Sequence, residues 1–298
     1  MRFGLVVVAL AVALQTATAP PDTEIYLASL STPGGQFTVG PPVNITGNPG
    51  YDNQPSFSPD GRSVLFTSIR GGTQTDIYRY DIAAGRVARV TNTPESEYSP
   101  TVTPDGAHIS VIRVEADGTQ RLWRFTIDGM QPELVLADVK PVGYHAWADD
   151  HTLVLFVLGQ PATLRLADTA TGQADVLARD IGRTIQRIPV TGTISFVERE
   201  GGGREGTPLK LWIRELDPKT RRVTPLVAAL PGATEAYYAW TPDGWLLTAE
   251  KDVLYGWRRG DSDWRRFADL APLGLHGVSR LAVSPAADRI ALVTQAQP

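Results

Sequence analysis

The sequence predicts an all-β fold: a six-bladed β-propeller of four-stranded antiparallel blades, closed where N-terminal strands complete the C-terminal blade. Three observations carry this expectation. One stretch, Gln54 to Thr91, reads as four short strands separated by turns. Weaker versions of it recur about every 45 residues. The two ends of the chain carry complementary halves of the same pattern.

Within that stretch, Ser56-Phe57-Ser58 is a short run centred on an apolar residue and ended by Pro59-Asp60-Gly61. Proline presets φ, aspartate caps its own backbone and glycine takes the left-handed position, which is the chemistry of a tight turn. Ser63 to Ser68 is β-branched and aromatic and returns as the second strand of a hairpin. A polar loop, Ile69 to Thr75, leads to Asp76–Asp81, whose apolar–polar alternation marks a half-buried third strand. Ala83-Ala84-Gly85 turns the chain again, and Arg86 to Thr91 alternates as a fourth.

Taken in order, residues 1–19 stand apart. Arg2 supplies a positive start, Phe3 to Leu14 an apolar stretch and Ala17-Thr18-Ala19 a small-x-small cleavage pattern. We expect 1–19 to be a signal peptide and 20–298 a single propeller domain. The apolar stretch is too short to span a bilayer, so no integral span is expected after its removal. Pro20 would follow the scissile bond, where its fixed φ and missing N–H fit poorly. Cleavage after Ala13, or retention as a weak tether, is the alternative.

Thr23 to Leu30 resembles the third strand of the best-formed unit, with Glu24-Ile25-Tyr26 matching Asp76-Ile77-Tyr78. Residues 31–42 form a Gly/Pro-rich turn, and Val43-Asn44-Ile45-Thr46 matches the end of a fourth strand. The mature chain therefore opens in the middle of a blade. Asn44-Ile45-Thr46 is also a glycosylation sequon, but an apolar–Thr pair is how a repeat ends, so it reads as repeat grammar.

The next unit begins at Tyr98 and carries the turn Thr103-Pro104-Asp105-Gly106, then His108–Ile112, Arg121–Phe125 and an end near Leu136. After it come Tyr144 to Trp147, an eroded turn at Ala148 to His151, Thr152–Leu158, Thr163–Ala167 and Asp175–Ala178. The following unit has lost the turn signature around Ile188 to Gly192. It keeps strands Thr193–Val197 and Lys210–Leu216 around an inserted loop, Arg199 to Pro208. Tyr237 to Trp240, Thr241-Pro242-Asp243-Gly244, Leu246–Ala249, Val253–Trp257 and Trp264–Phe267 make another. Finally, Arg280 to Thr294 supplies two strands and stops, so the two termini share one blade and hide its edges. Turn aspartates space the units. Asp60, Asp105 and Asp150 are 45 apart, as are Asp243 and Asp288, and the 93 residues from Asp150 to Asp243 hold two periods plus an insertion.

Ser58-Pro59-Asp60-Gly61-Arg62, an apolar strand, Asp76-Ile77-Tyr78 and an ending in Val-Thr together resemble the WD-like repeats of TolB-type β-propellers. The match is sharp there, fair at Thr103 to Gly106 and Thr241 to Gly244, and weak at Ser284 to Arg289. That resemblance implies a propeller, and such repeats mark architecture rather than function. Propellers of this type include TolB proteins of the bacterial envelope that bind a peptidoglycan-associated lipoprotein, domains attached to serine peptidases, and some polysaccharide lyases. This chain departs from each. Only about four residues separate the leader from the first strand, where TolB has an N-terminal α/β domain. No hydrolase domain follows, and no Gly-x-Ser-x-Gly elbow is present.

Composition narrows the function classes. A net charge of −4 with no basic stripe argues against nucleic acid. The absence of cysteine excludes disulfides, thiolate catalysis and Cys-ligated metal. In a four-stranded blade the Pro-Asp-Gly turns share one face, and the chain enters each first strand on the other, around the mouth of the central channel. Reading back from Phe57, Val102, Trp147, Ile188, Trp240 and Val283, that mouth is expected to receive Asn53 and Gln54, Tyr98 and Ser99, and Tyr144 and His145. The remaining blades are expected to contribute Ile185 and Gln186, Tyr237 and Tyr238, and Ser279 and Arg280. Of these, Gln54, Tyr98, Tyr144, His145, Gln186, Tyr237, Tyr238 and Arg280 are the candidate ligand-binding residues. Tyrosine offers a flat apolar face with a hydrogen-bonding tip and suits a peptide or a sugar; packing at blade junctions is the competing role. Arg70 and the 199–208 loop would frame the site. Trp123, Trp147, Trp212 and Trp240 are expected in the core between blades.

His145, His276, Glu97 and Glu235 fall on connectors of this face, but their spacing matches no ligand motif, and Glu97 with His145 has no acid/base signature. No catalytic residue, metal or cofactor is therefore assigned. The expectation is a non-catalytic, monomeric binding scaffold, periplasmic or secreted, whose partner is an envelope protein or glycan. The alternatives are a glycan-acting lyase or hydrolase at the same mouth, and a TolB remnant binding a peptidoglycan-associated lipoprotein.

Overall fold

Each repeat forms its own antiparallel sheet, and the sheets close into a ring. The computed structural model describes residues 20–202 and 208–296, so the leader and the middle of the 199–208 loop lie outside the described residues. Blade 1 runs from the channel outward as Asp52–Phe57, Ser63–Ile69, Thr75–Asp81 and Arg86–Arg89. Blades 2 to 5 repeat that order, starting at Ser96–Val102, Val142–Trp147, Ile181–Arg187 and Tyr238–Trp240. Two short 3-10 turns, Pro33–Gly35 and Ala271–Leu273, sit between strands. No helix among the described residues is long and apolar enough to cross a membrane.

Blade 6 takes Arg280–Val283 and Arg289–Gln295 from the end of the chain and Thr23–Ser31 from the beginning. Thr23–Ser31 pairs with Arg289–Gln295 from Thr23↔Gln295 to Ser29↔Arg289. The fourth strand of this blade is split, with Thr38–Val39 and Val43–Asn44 each adding to Thr23–Ser31. Closure therefore occurs as the two termini predict.

The core is divided among the junctions. Each of the six apolar clusters belongs to one pair of neighbouring blades, such as Leu65 and Ile77 of blade 1 against Ile109, Val111 and Phe125 of blade 2. Strand alternation puts one face of each sheet toward one neighbour and the other face toward the next, so both are buried. Each fully buried Leu, Ile or Phe contributes about 1.5–3 kcal/mol relative to exposure. Trp147 and Trp240 are buried at these junctions and Trp123 packs on one, as expected. Trp212 does not: it is half-exposed and its indole N–H donates to Glu200.

Local chemistry explains the repeat grammar. Asp60 accepts the Arg62 N–H (3.0 Å) and the Ser58 hydroxyl (2.6 Å), while Gly61 sits at φ 69°. Threonine ends a unit because its hydroxyl accepts a third-strand N–H: Thr91 from Ile77 (2.9 Å) and Thr46 from Ile25 (3.0 Å). Thr46 of the sequon is thus a buried structural residue.

Two readings of the repeat need correction. In blade 3 the capping carboxylate is Asp149, which accepts from the N–H groups of His151 and Thr152, because this turn closes from Ala148 to Thr152, one residue shorter than Ser58 to Ser63. In blade 6, Ala287 occupies the left-handed position (φ 54°) that Gly61 holds in blade 1, so Asp288 lies one residue beyond it. The aspartate spacing gave the right blade number through residues that are not all equivalent.

Candidate functional site

A channel of about 840 Å³ runs along the ring axis, walled by the first strands of all six blades. The bond that closes each first turn aligns these strands: Ser58 N–H to Ser63, Thr103 to His108, Ala148 to Thr152, Ile188 to Thr193, Thr241 to Trp245 and Ser284 to Arg289. Counting back four residues from each gives one ring at the mouth, composed of Gln54, Ser99, Tyr144, Thr184, Tyr237 and Arg280. At the far end the same channel meets Pro59, Pro104, Asp149, Pro189, Pro242 and Pro285 of the turns.

This alignment corrects blade 4. Ile188 corresponds to Ser58 rather than Phe57, so the expected register was off by one and a one-residue slip exchanges the faces of a strand. The mouth position belongs to Thr184, while Gln186 lines the channel deeper, opposite Ser195. The eroded turn sequence concealed this.

Irregular backbone shapes the mouth. The first strands of blades 1 to 4 each break register at this end, between Asn53 and Ser56, Tyr98 and Thr101, Val142 and Tyr144, and Ile181 and Ile185. Such bulges re-aim side chains at ring rims. Gln54 (φ 57°) and Ser99 (φ 54°) adopt left-handed backbone there, and the Gln54 Oε1 accepts from the Ser99 N–H (2.8 Å) and the Thr67 hydroxyl (2.9 Å). Gln54 is therefore a stitch between blades 1 and 2. Gly182 allows the break in blade 4, since a Cβ there would meet the Val197 side chain at 2.9 Å.

Arg280 dominates the mouth. From blade 6 it reaches blade 3, opposite in the ring, where its Nη2 donates to the Tyr144 hydroxyl oxygen (3.0 Å). Its guanidinium also lies over two rings, 5.3 Å from the Tyr144 centroid and 4.0 Å from that of Tyr237. Burial works against its charge, yet its interactions with Tyr144, Tyr237 and Tyr51 outweigh that and hold it above the ordinary arginine range. Arg183 approaches Tyr144 and Tyr237 as well. Burial raises the Tyr237 and Tyr51 phenols, so both remain neutral donors. Tyr51 and Arg183 were not among the candidates; Tyr51 precedes its strand, and a bulge brings Arg183 inward.

Other candidates are consumed by packing. Tyr238 is buried, and its hydroxyl donates to Ser195 (3.0 Å), which also receives the Trp240 indole N–H (2.8 Å). Blade 3 repeats this triad with His145, Trp147 and Ser110, the His145 Nε2 lying 2.7 Å from the Ser110 hydroxyl. Ser110 donates to the Thr101 carbonyl (3.1 Å), which assigns the donated proton to His145 Nε2 and leaves Nδ1 bare. Burial pushes this imidazole down to about 4, so it is neutral at neutral pH. Tyr98 lies outside the channel wall and packs on the blade 2–3 cluster.

The four groups of the metal and acid/base alternatives stay apart. Glu97 accepts from Thr91 (3.1 Å) and Thr93 and faces Arg113; Glu235 pairs with Arg199; His276 meets Asp252 (3.0 Å). Among the described residues, no three His, Asp or Glu side chains gather as a metal-binding group. Arg70 stands 3.8 Å from buried Asp52 and over the Tyr78 ring (4.9 Å), so it is a structural residue of blade 1.

Comparison with known proteins places this architecture. The model of the TolB beta propeller domain family matches residues 9–179, more than half of the chain. The Tol-Pal system protein TolB of Francisella tularensis is 40% identical over 57 residues, which is 19% of this chain and 13% of that protein. The match thus spans about an eighth of the length of these curated relatives. A solved TolB structure from Agrobacterium tumefaciens superposes with a TM-score of 0.68 at 17% identity, covering 94% of this chain and 100% of that one. TolB from Acinetobacter baumannii gives 0.58 at 16% identity, over 93% of this chain and 65% of that one. At such identities the superpositions speak for the fold alone, whereas the family model speaks for descent: the chain belongs to the TolB β-propeller domain family.

Proposed function

We propose that the chain is an exported, non-catalytic scaffold that binds a protein or glycan partner in the cell envelope through the mouth of its central channel. One observation carries this reading: Tyr144, Tyr237, Arg183 and Arg280, from blades 3 to 6, converge on a single opening of the channel. Concave sites with a few convergent polar groups on aromatic walls are the usual form of a binding pocket. The leader-like residues 1–19 support export to the periplasm or beyond, and the single 20–298 domain would act as a monomer. Family membership supports an envelope role by analogy. A lyase or hydrolase reading is less well supported, because Glu97, Glu235, His145 and His276 are each engaged by separate neighbours.

The test is affinity capture from an envelope extract with the mature chain and with a Tyr144→Ala, Tyr237→Ala double variant. Loss of the captured partner in a variant that remains folded is the expected result; undiminished capture would place the binding face elsewhere. Cell fractionation with N-terminal sequencing of the mature protein checks export, and a cytoplasmic, uncleaved product would overturn it.

A further inference from the structure

We propose that Arg280, with Arg183 beside it, forms a carboxylate-binding site at the channel mouth that takes an acidic group of a polypeptide partner. This inference rests on the reading of the mouth as the binding face and adds the chemistry it selects.

Among the described residues the positive charge at the mouth is balanced only at a distance, Glu235 acting on Arg183 without pairing with it. None of the ion pairs among the described residues includes Arg280 or Arg183. The nearby carboxylates are committed elsewhere: Glu235 to Arg199, Glu97 to Arg113 and two threonines, Asp52 toward Arg70. Arg280 donates instead to a neutral phenol. Because the Tyr144 oxygen accepts that bond, its own proton is free to be donated outward. Two guanidinium groups and the phenols around them therefore present a surplus of donors. A carboxylate, which only accepts and matches the guanidinium fork in two parallel bonds, complements such a set.

The same geometry argues against a sugar as the main ligand. Stacking on a pyranose needs open tyrosine faces, and the Arg280 guanidinium already lies over those of Tyr144 and Tyr237. Below the mouth, Phe57, Val102 and Val283 give part of the channel wall an apolar surface. An extended peptide can place Asp, Glu or its C-terminus on the arginines and apolar side chains deeper.

The experiment uses the mature chain and three probes: acetyl-Leu-Asp-Leu amide, its Asp→Asn counterpart and galacturonic acid. Binding is measured by calorimetry at low salt. The Asp peptide should bind at least about tenfold more tightly than the Asn peptide. That preference should vanish in Arg280→Met, shrink in Arg183→Met and survive in part in Arg280→Lys, which keeps the charge but loses the fork. Circular dichroism and thermal melting separate a lost site from a lost fold. Equal affinity for the two peptides, an undiminished preference in Arg280→Met, or binding of galacturonic acid alone would overturn the inference. The two readings separate in partner capture. Loss with Tyr144→Ala, Tyr237→Ala but not with Arg280→Met keeps the mouth as the binding face and removes the carboxylate site. Capture unaffected by either removes both.

Discussion

Arg113 and Arg280 are built alike and satisfied differently. Each stacks its guanidinium on aromatic rings inside the propeller, Arg113 over Trp123 at 4.8 Å and Arg280 over Tyr237 at 4.0 Å. Arg113 sits at the blade 1–2 junction and faces two carboxylates, Glu95 in a direct bond and buried Glu97 at 3.6 Å. Arg280 sits in the channel and faces phenols. A buried charge that has its counter-charge is a structural element; one without it destabilises the fold and is available to a ligand. The difference separates residues that hold the ring together from residues free to act.

Four outcomes would break or sharpen that contrast. The largest effect is expected on removing one partner of the satisfied site. Arg113→Met leaves Glu97 buried without its cation and should lose about 3–5 kcal/mol in urea unfolding at pH 8, whereas Arg280→Met should be neutral or stabilising. Equal losses at the two positions would mean that Arg280 is structural too.

Next comes pH. Burial raises Glu97 to about 7 and Asp52 to about 6, despite the pull of Arg113 and Arg70. The folded state therefore binds protons that the unfolded state has released, and the contribution of these two groups to stability falls as pH rises from about 4 to about 7. Glu97→Gln should flatten that part of the stability–pH curve, and a curve that rises through this window in the parent and is unchanged in the variant would contradict the assignment.

A smaller loss, about 1–3 kcal/mol, is expected for Ser195→Ala, which strips the acceptor from the Tyr238 hydroxyl and the Trp240 indole at a buried junction. Ser110→Ala should behave alike through His145 and Trp147, and thermal melting of both reads it. The smallest is Gly61→Ala, about 1 kcal/mol from a left-handed backbone (φ 69°), with binding at the mouth unchanged because the turn lies at the opposite end of the blade.

Much of the fold was legible because its determinants are local. Pro59-Asp60-Gly61 makes its turn from its own atoms, and in DIYRYD successive residues face opposite neighbours, Ile77 toward blade 2 and Tyr78 and Tyr80 toward blade 6. Legibility failed where those atoms were lost. Around Ile188 no Asp-Gly pair marked the register, so Gln186 was placed one step early and Thr184 was missed. At the mouth, Tyr238 and His145 could not be told from Tyr144 and Tyr237 by type. Which tyrosine meets a serine and which meets an arginine depends on the residue opposite, in another blade.

By itself the sequence determined the number of blades, their four-strand pattern and the shared terminal blade, because turn chemistry and period-two alternation act over a few residues. Only the tertiary structure decided that Arg280 crosses the channel to Tyr144, 136 residues away, and that none of the described carboxylates pairs with it there. Charge balance in a ring is set by which blades face one another across the axis, and that is a property of closure rather than of any one repeat.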